Sequence, residues 1–101
     1  MAVVRLHRFR VARADLDRLL AQRRTLIDAI RLVHPGLTET RLTRLEDGTY
    51  LDTWRWDRAE HMLAAVAAAQ GVPLVDATEA LMLDASVLTG EILDETPDQV
   101  V

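Results

Sequence analysis

The residues from Glu46 to Trp56, EDGTYLDTWRW, concentrate what this chain has for handling an aromatic ligand: three of its four aromatic side chains lie there, with the carboxylate Asp52 among them. Asp47-Gly48 between two strand-like runs predicts a two-residue type I′ hairpin, whose central residues both need positive φ. Counted out from that turn, Leu45 faces Tyr50, Thr43 faces Asp52, Arg41 faces Trp54 and Glu39 faces Trp56, all on one side of the sheet. The other side carries Arg44 with Leu51, Leu42 with Thr53, and Thr40 with Arg55. Flat rings beside a few polar groups suit a planar organic ligand. The same rings, with Arg41 paired to Asp52 or stacked on Trp54, equally suit a packed core face.

Other chemistries find no support. Cysteine is absent, which removes disulfides, thiolate metal sites and a cysteine nucleophile. The three histidines, His7, His34 and His61, lack metal-ligand spacing, so no metal is expected. His34 stands at a helix end before Pro35-Gly36, and His61 lies in a first helical turn four residues after Asp57. The only serine, Ser86, has no nucleophile-elbow context, and the four glycines are isolated rather than gathered in a phosphate loop.

The net charge of −4 argues against nucleic acid as a partner. All twelve basic residues are arginines and all precede Ala59. Arg5, Arg8, Arg10 and Arg13 read as exposed or ion-paired strand residues, since no nucleic-acid motif accompanies them. No apolar run approaches the roughly 20 residues that span a bilayer, so no membrane is expected. The chain opens directly on a strand-like run without a signal-peptide core, which predicts a cytoplasmic protein.

The elements that must position these side chains follow from periodicity. Val3 to Val11 predicts a strand, with Val3, Arg5, His7, Phe9 and Val11 on one parity and Val4 and Leu6 on the other. Asp15 is placed to cap a helix whose apolar side is Leu16, Leu19, Leu20, Leu26, Ile27 and Ile30; Pro35-Gly36 ends it. Residues 37–45 and 49–56 form the hairpin. Asp57 with Glu60 reads as a capping box for an Ala-rich helix over residues 59–70, stopped by Gly71 and Pro73. A short helix over residues 74–82 and a strand over residues 86–93 complete a domain of residues 1–95, leaving residues 96–101 as a polar tail.

This order is a ferredoxin-like α+β fold, βαββαβ, with a four-stranded antiparallel sheet. Its helices cover one face. The other face carries Val4, Leu6, Leu42 and Leu51 and needs a cover, for which a second copy of the chain is the economical choice, giving a homodimer. Ala64, Ala65, Ala67, Ala68 and Ala69 leave room beneath the second helix for a ligand, or allow close helix–sheet packing.

The element order, the run EDGTYLD (residues 46–52), and WDRAE (residues 56–60) leading into the Ala-rich helix resemble the antibiotic biosynthesis monooxygenase-like proteins. The resemblance spans residues 2–95. It implies a dimeric α/β barrel with a pocket in each subunit between sheet and helices. Relatives include cofactor-independent monooxygenases that oxidise polyketide phenols to quinones, and others that degrade heme. The functional Trp of the oxidising relatives matches Trp56. The strand-one Asn of the heme degraders falls at His7, and this chain has no Asn. Their heme-ligating His belongs near Asp76 to Ala80, where no His occurs, which disfavours heme degradation.

The expected activity is a cofactor-independent monooxygenase acting on an aromatic or quinone-type small molecule. The alternative is a non-catalytic small-molecule-binding or pathway accessory protein with the same dimeric barrel, and a third reading is a structural dimer with a filled core. A cofactor-free oxygenase must bind an acidic phenol, deprotonate it and stabilise the anion. His7 is the best base, because imidazole titrates near neutrality. Asp52 is the second, if burial raises its pKa. Arg41 stabilises the phenolate, and Tyr50, Trp54 and Trp56 hold the ring.

Overall fold

The computed structural model describes residues 1–96; residues 97–101, most of the expected tail, lie outside the described residues. The elements are β1 (Val3–Arg10), a 3-10 turn (Arg13–Asp15), α1 (Leu16–Val33), β2 (Leu37–Arg44), β3 (Tyr50–Trp56), α2 (Ala59–Ala69), α3 (Pro73–Glu79) and β4 (Leu83–Glu91). The strands form one antiparallel sheet in the order β2-β3-β1-β4. This is the ferredoxin-like α+β arrangement expected, with the last helix and last strand each beginning earlier than their periodicity suggested.

Local chemistry sets most boundaries. Gly71, at φ +76°, takes the left-handed conformation that ends α2, and Pro73 opens α3, where its missing N–H costs nothing. Gly36 ends α1 for a different reason. A Cβ there would lie 2.6 Å from Asp57 Oδ1 and 2.9 Å from His61 Cβ, so only glycine allows the α1–β2 corner to meet the start of α2. Two expected caps are not made. Asp15 and Asp57 flank their helices, but neither α1 nor α2 has a side-chain cap bond. Asp57 Oδ1 instead lies 2.7 Å from His61 Nδ1, and that bond holds the Asp57 carboxyl below its usual range.

The hairpin departs from its expected register by one residue. Arg44 pairs with Tyr50, Leu42 with Asp52, Thr40 with Trp54 and Arg41 with Thr53; the register then shifts so that Leu37 pairs with Trp56. The loop is the cause. Leu45 N–H donates to Thr49 carbonyl at 2.8 Å and Gly48 N–H to Leu45 carbonyl at 3.0 Å, so the loop holds three residues, Glu46-Asp47-Gly48. Only Gly48 has positive φ (+85°). That is a type I turn closed by a left-handed glycine, which spares Asp47 the strained conformation a type I′ turn demands. Asp47 gains as well. Its Oδ1 accepts Thr49 N–H at 2.9 Å and Thr49 Oγ1 at 2.6 Å, and its Oδ2 pairs with Arg8 at 2.8 Å.

Registers across the sheet put Val3, Arg5, His7 and Phe9 of β1 on one face with Tyr50, Asp52, Trp54 and Trp56 of β3. This face meets the helices. Val3, Leu37 and Trp56 close a core with Ile27 of α1 and Met62 and Ala65 of α2. At the far end of the face, Phe9 is buried and stacks on Tyr50, ring centroids 5.9 Å apart. The opposite face carries Val4, Leu6, Leu51 and Thr53 at the centre and Leu88 on β4, with no helix over it. Leu42, expected there, is on the helix side because of the slip in register.

Candidate functional site

A cavity of about 150 Å³ lies between the sheet and the three helices. Its sheet wall is Arg5 and His7 from β1 with Asp52, Trp54 and Trp56 from β3. Leu26 and Ile30 of α1 and Ala65, Val66 and Ala69 of α2 supply the apolar roof. Val75 and Thr78 of α3, then Met82, close one end, and the exposed Asp76 and Glu79 also line it from α3. Of the five alanines expected to make room, Ala65 and Ala69 do so. Ala64, Ala67 and Ala68 point to solvent.

Asp52 anchors the sheet wall. It is 2% exposed and accepts three hydrogen bonds: Arg23 Nε to Oδ2 at 2.9 Å, Arg23 Nη2 to Oδ1 at 2.8 Å, and Trp54 Nε1 to Oδ1 at 2.8 Å. The bidentate pair with Arg23 ties α1 to β3, and the indole bond fixes the plane of Trp54. This geometry gives Asp52 a holding role and weakens its claim as a proton acceptor for a ligand, since its lone pairs are directed at Arg23 and Trp54.

His7 stands opposite Asp52 in the β1–β3 ladder, with Arg5 opposite Trp54. Burial pulls the His7 imidazole below its ordinary 6.5, the Arg5 charge pushes the same way, and Asp52 pulls it back up. His7 is therefore neutral near pH 7, with a lone pair ready to take a proton. Trp56, opposite Val3 in the same ladder, is almost wholly buried, and its Nε1 has no hydrogen-bond partner among the described residues. Also among the described residues, no cluster of three or more His, Asp or Glu side chains is placed to hold a metal ion.

His7, Asp52, Trp54 and Trp56 are thus brought together as the sequence suggested. Two expected site residues are not. Arg41 lies on the opposite face of the sheet, exposed, with its Nη2 donating to Glu39 Oε1 at 2.7 Å. The one-residue slip put it there. Tyr50 is on the right face but outside the cavity, stacked on Phe9, with its hydroxyl accepting Arg44 Nε at 3.0 Å and the Arg44 guanidinium 5.5 Å from its ring centre.

Two arginines take the places assigned to Arg41, and both carried a signal. Arg23 is four residues after Leu19 and four before Ile27, so helical spacing sets it in the buried stripe of α1. A charge in such a stripe needs a buried partner. Arg5 shares the parity of Val3, His7 and Phe9, which directs it to the same face as the aromatic rings.

No family model matches the sequence, and no curated protein matches it. Solved structures do match. SnoaB, a cofactor-independent oxygenase from Streptomyces nogalater, is 24% identical with a TM-score of 0.71, over 96% of this chain and 98% of its own. A crystal structure of an antibiotic biosynthesis monooxygenase is 18% identical with a TM-score of 0.70, over 93% and 100%. MhuD, in a variant with two manganese protoporphyrin IX molecules bound per active site, is 21% identical with a TM-score of 0.65, over 95% and 99%. The chain has the fold of the antibiotic biosynthesis monooxygenases along nearly its whole length.

Proposed function

We propose that the chain is a cofactor-independent monooxygenase acting on an aromatic or quinone-type small molecule bound in the cavity. The observation that carries this reading is the His7 imidazole in a cavity walled by two indoles. For a phenol substrate the chemistry balances as phenol plus O2 giving para-quinone plus water. His7 takes the phenolic proton. The phenolate gives one electron to O2, and the resulting superoxide joins the ring radical at the para carbon to form a C–O bond. The proton on His7 passes to the peroxide. Loss of the ring C–H proton then breaks the O–O bond, and hydroxide leaves with that proton as water. Trp54, held by Asp52, and Trp56 keep the ring in plane and the site dry.

The experiment is oxygen uptake with a panel of dihydroxynaphthalenes and anthrone-like phenols, with and without chelator. Uptake that is unchanged by chelator, with one water and one quinone formed per O2, is the expected result. Silence across the panel, with saturable binding of the same compounds, would favour the second reading, a non-catalytic binding or pathway accessory protein. That reading gains from Asp52, whose engagement by Arg23 and Trp54 makes it a structural anchor of the cavity wall.

The proposed partner is a second copy of the chain. Val4, Leu6, Leu51 and Leu88 form an apolar centre on the helix-free face, and Leu88 is 67% exposed. A sheet left open on such a face gains by packing on its own image. Sedimentation at micromolar concentration should give twice the monomer mass, and Leu88→Lys with Leu6→Lys should halve it; a monomeric wild type refutes the proposal. The proposed location is the cytoplasm: the chain has no cysteine, and among the described residues no helix is long and apolar enough to cross a membrane.

A further inference from the structure

Three arginines are half-buried, Arg5, Arg23 and Arg55; the others are exposed. Arg23 grips Asp52 with two nitrogens, and Arg55 grips Glu95 in the same way, at 2.7 and 2.6 Å. Arg5 has no hydrogen bond or ion pair with any described residue, although it lines the cavity. Arg5 is half-buried, and with no partner among the described residues its guanidinium keeps its donors free for a ligand. Its neighbours do not supply the missing anion. Asp52 is already paired, His7 is neutral, and Asp76 and Glu79, which line the cavity from α3, stay exposed and do not bond to it.

We infer that Arg5 is the oxyanion-binding residue of the cavity, and that the ligand it selects is an acidic phenol held as its phenolate. The inference rests on the reading of the cavity as a site for an aromatic small molecule. Arg5 and His7 are alternate residues of one strand, so their side chains rise from the same face about 7 Å apart at the backbone. A ring lying along Trp54 and Trp56 can bring one hydroxyl to both. His7 takes the proton and Arg5 holds the charge left on the oxygen. The two groups assist each other, because the Arg5 charge that disfavours a protonated His7 in the empty cavity is neutralised once the phenolate forms. The imidazolium then stands beside an ion pair instead of a bare cation. Selectivity follows. A phenol ether of the same shape meets the apolar walls but brings no anion to Arg5, which stays unpaired beneath it.

The test uses para-nitrophenol, whose phenolate is yellow, and its uncharged methyl ether para-nitroanisole, against wild type, Arg5→Met and Arg5→Lys. In wild type the bound phenol should ionise about one pH unit or more below the free compound, the shift an opposite charge at close range produces. Arg5→Met should abolish that shift and cut phenolate affinity about tenfold or more, while para-nitroanisole binds both proteins alike. Arg5→Lys should keep part of the shift. Arg5→Met should also unfold no earlier than wild type, because it removes an unpaired charge. The inference falls if wild type shows no shift, if the shift survives in Arg5→Met, or if both ligands weaken equally in that variant. Failure of both ligands to bind wild type would remove it together with the ligand-site reading. The assay needs no turnover, so a protein that shows the Arg5-dependent shift but consumes no oxygen loses the monooxygenase reading and keeps this one.

Discussion

Arg23→Met should lower the unfolding free energy by about 3–5 kcal/mol, the cost of leaving a buried carboxylate without its partner. The Arg23 and Asp52 side chains are 14% and 3% exposed, so water cannot compensate the carboxylate when its partner goes. Methionine matches the length of the arginine stem and fills the space along α1, so the loss reports the missing charge instead of a cavity. Asp52 would retain only the Trp54 indole as a donor. In a domain of about 100 residues a loss of this size lowers the melting temperature by more than about 10 °C. Urea unfolding followed by tryptophan fluorescence measures it. The companion double variant, Arg23→Met with Asp52→Leu, should regain much of the loss, since a well-packed apolar pair often replaces a buried ion pair at little cost. A single-variant loss below about 1 kcal/mol would mean that the pair is solvated, and the account of Asp52 as the anchor of the sheet wall would fail.

The same pair shows where the sequence was legible. Helix, strand and stop signals read well because each depends on neighbouring residues: Gly71 and Pro73 around the α2–α3 junction, and the Leu19–Ile27 stripe of α1. The hairpin register depended on a choice that Asp-Gly leaves open. It serves a two-residue loop with two left-handed residues or a three-residue loop with one. The difference is decided by where Asp47 sends its carboxylate, to Thr49 and to Arg8 on another strand, and no local pattern contains that contact. One residue of slip then moved Arg41 out of the site and Leu42 into the helix-side layer. The β3 side was immune to the error. Asp52, Trp54 and Trp56 keep a common face whatever lies across from them, since alternation along one strand fixes it. Their partners on α1 and β1, Arg23 and Arg5, needed tertiary packing to be paired with them, although their own periodicity already marked them as inward-facing.

His7→Gln should lower turnover of a phenolic substrate by about 10²- to 10⁴-fold, the usual contribution of a positioned base, with little change in substrate affinity. Glutamine keeps a polar group of similar size but cannot take a proton. The pH profile makes the assignment specific. The folded pKa of His7 lies below its ordinary 6.5, so kcat/KM of wild type should climb with pH to a midpoint under 6.5 and stay level through neutrality. The variant's residual activity should lack that limb, and added imidazole should restore part of the rate in His7→Ala, whose cavity can admit it. Stability must move with pH in a linked way. Between the depressed folded value and 6.5 the unfolded chain binds more protons than the folded one, so wild-type stability rises with pH across that window. The contribution is fully present above 6.5 and is lost as pH falls through the folded value. His7→Gln removes this slope. The two readouts separate burial from catalysis. A histidine that is only buried gives the stability slope without the rate loss, whereas a base in the cavity gives both, with the rate midpoint at the same depressed pKa that the stability curve reports.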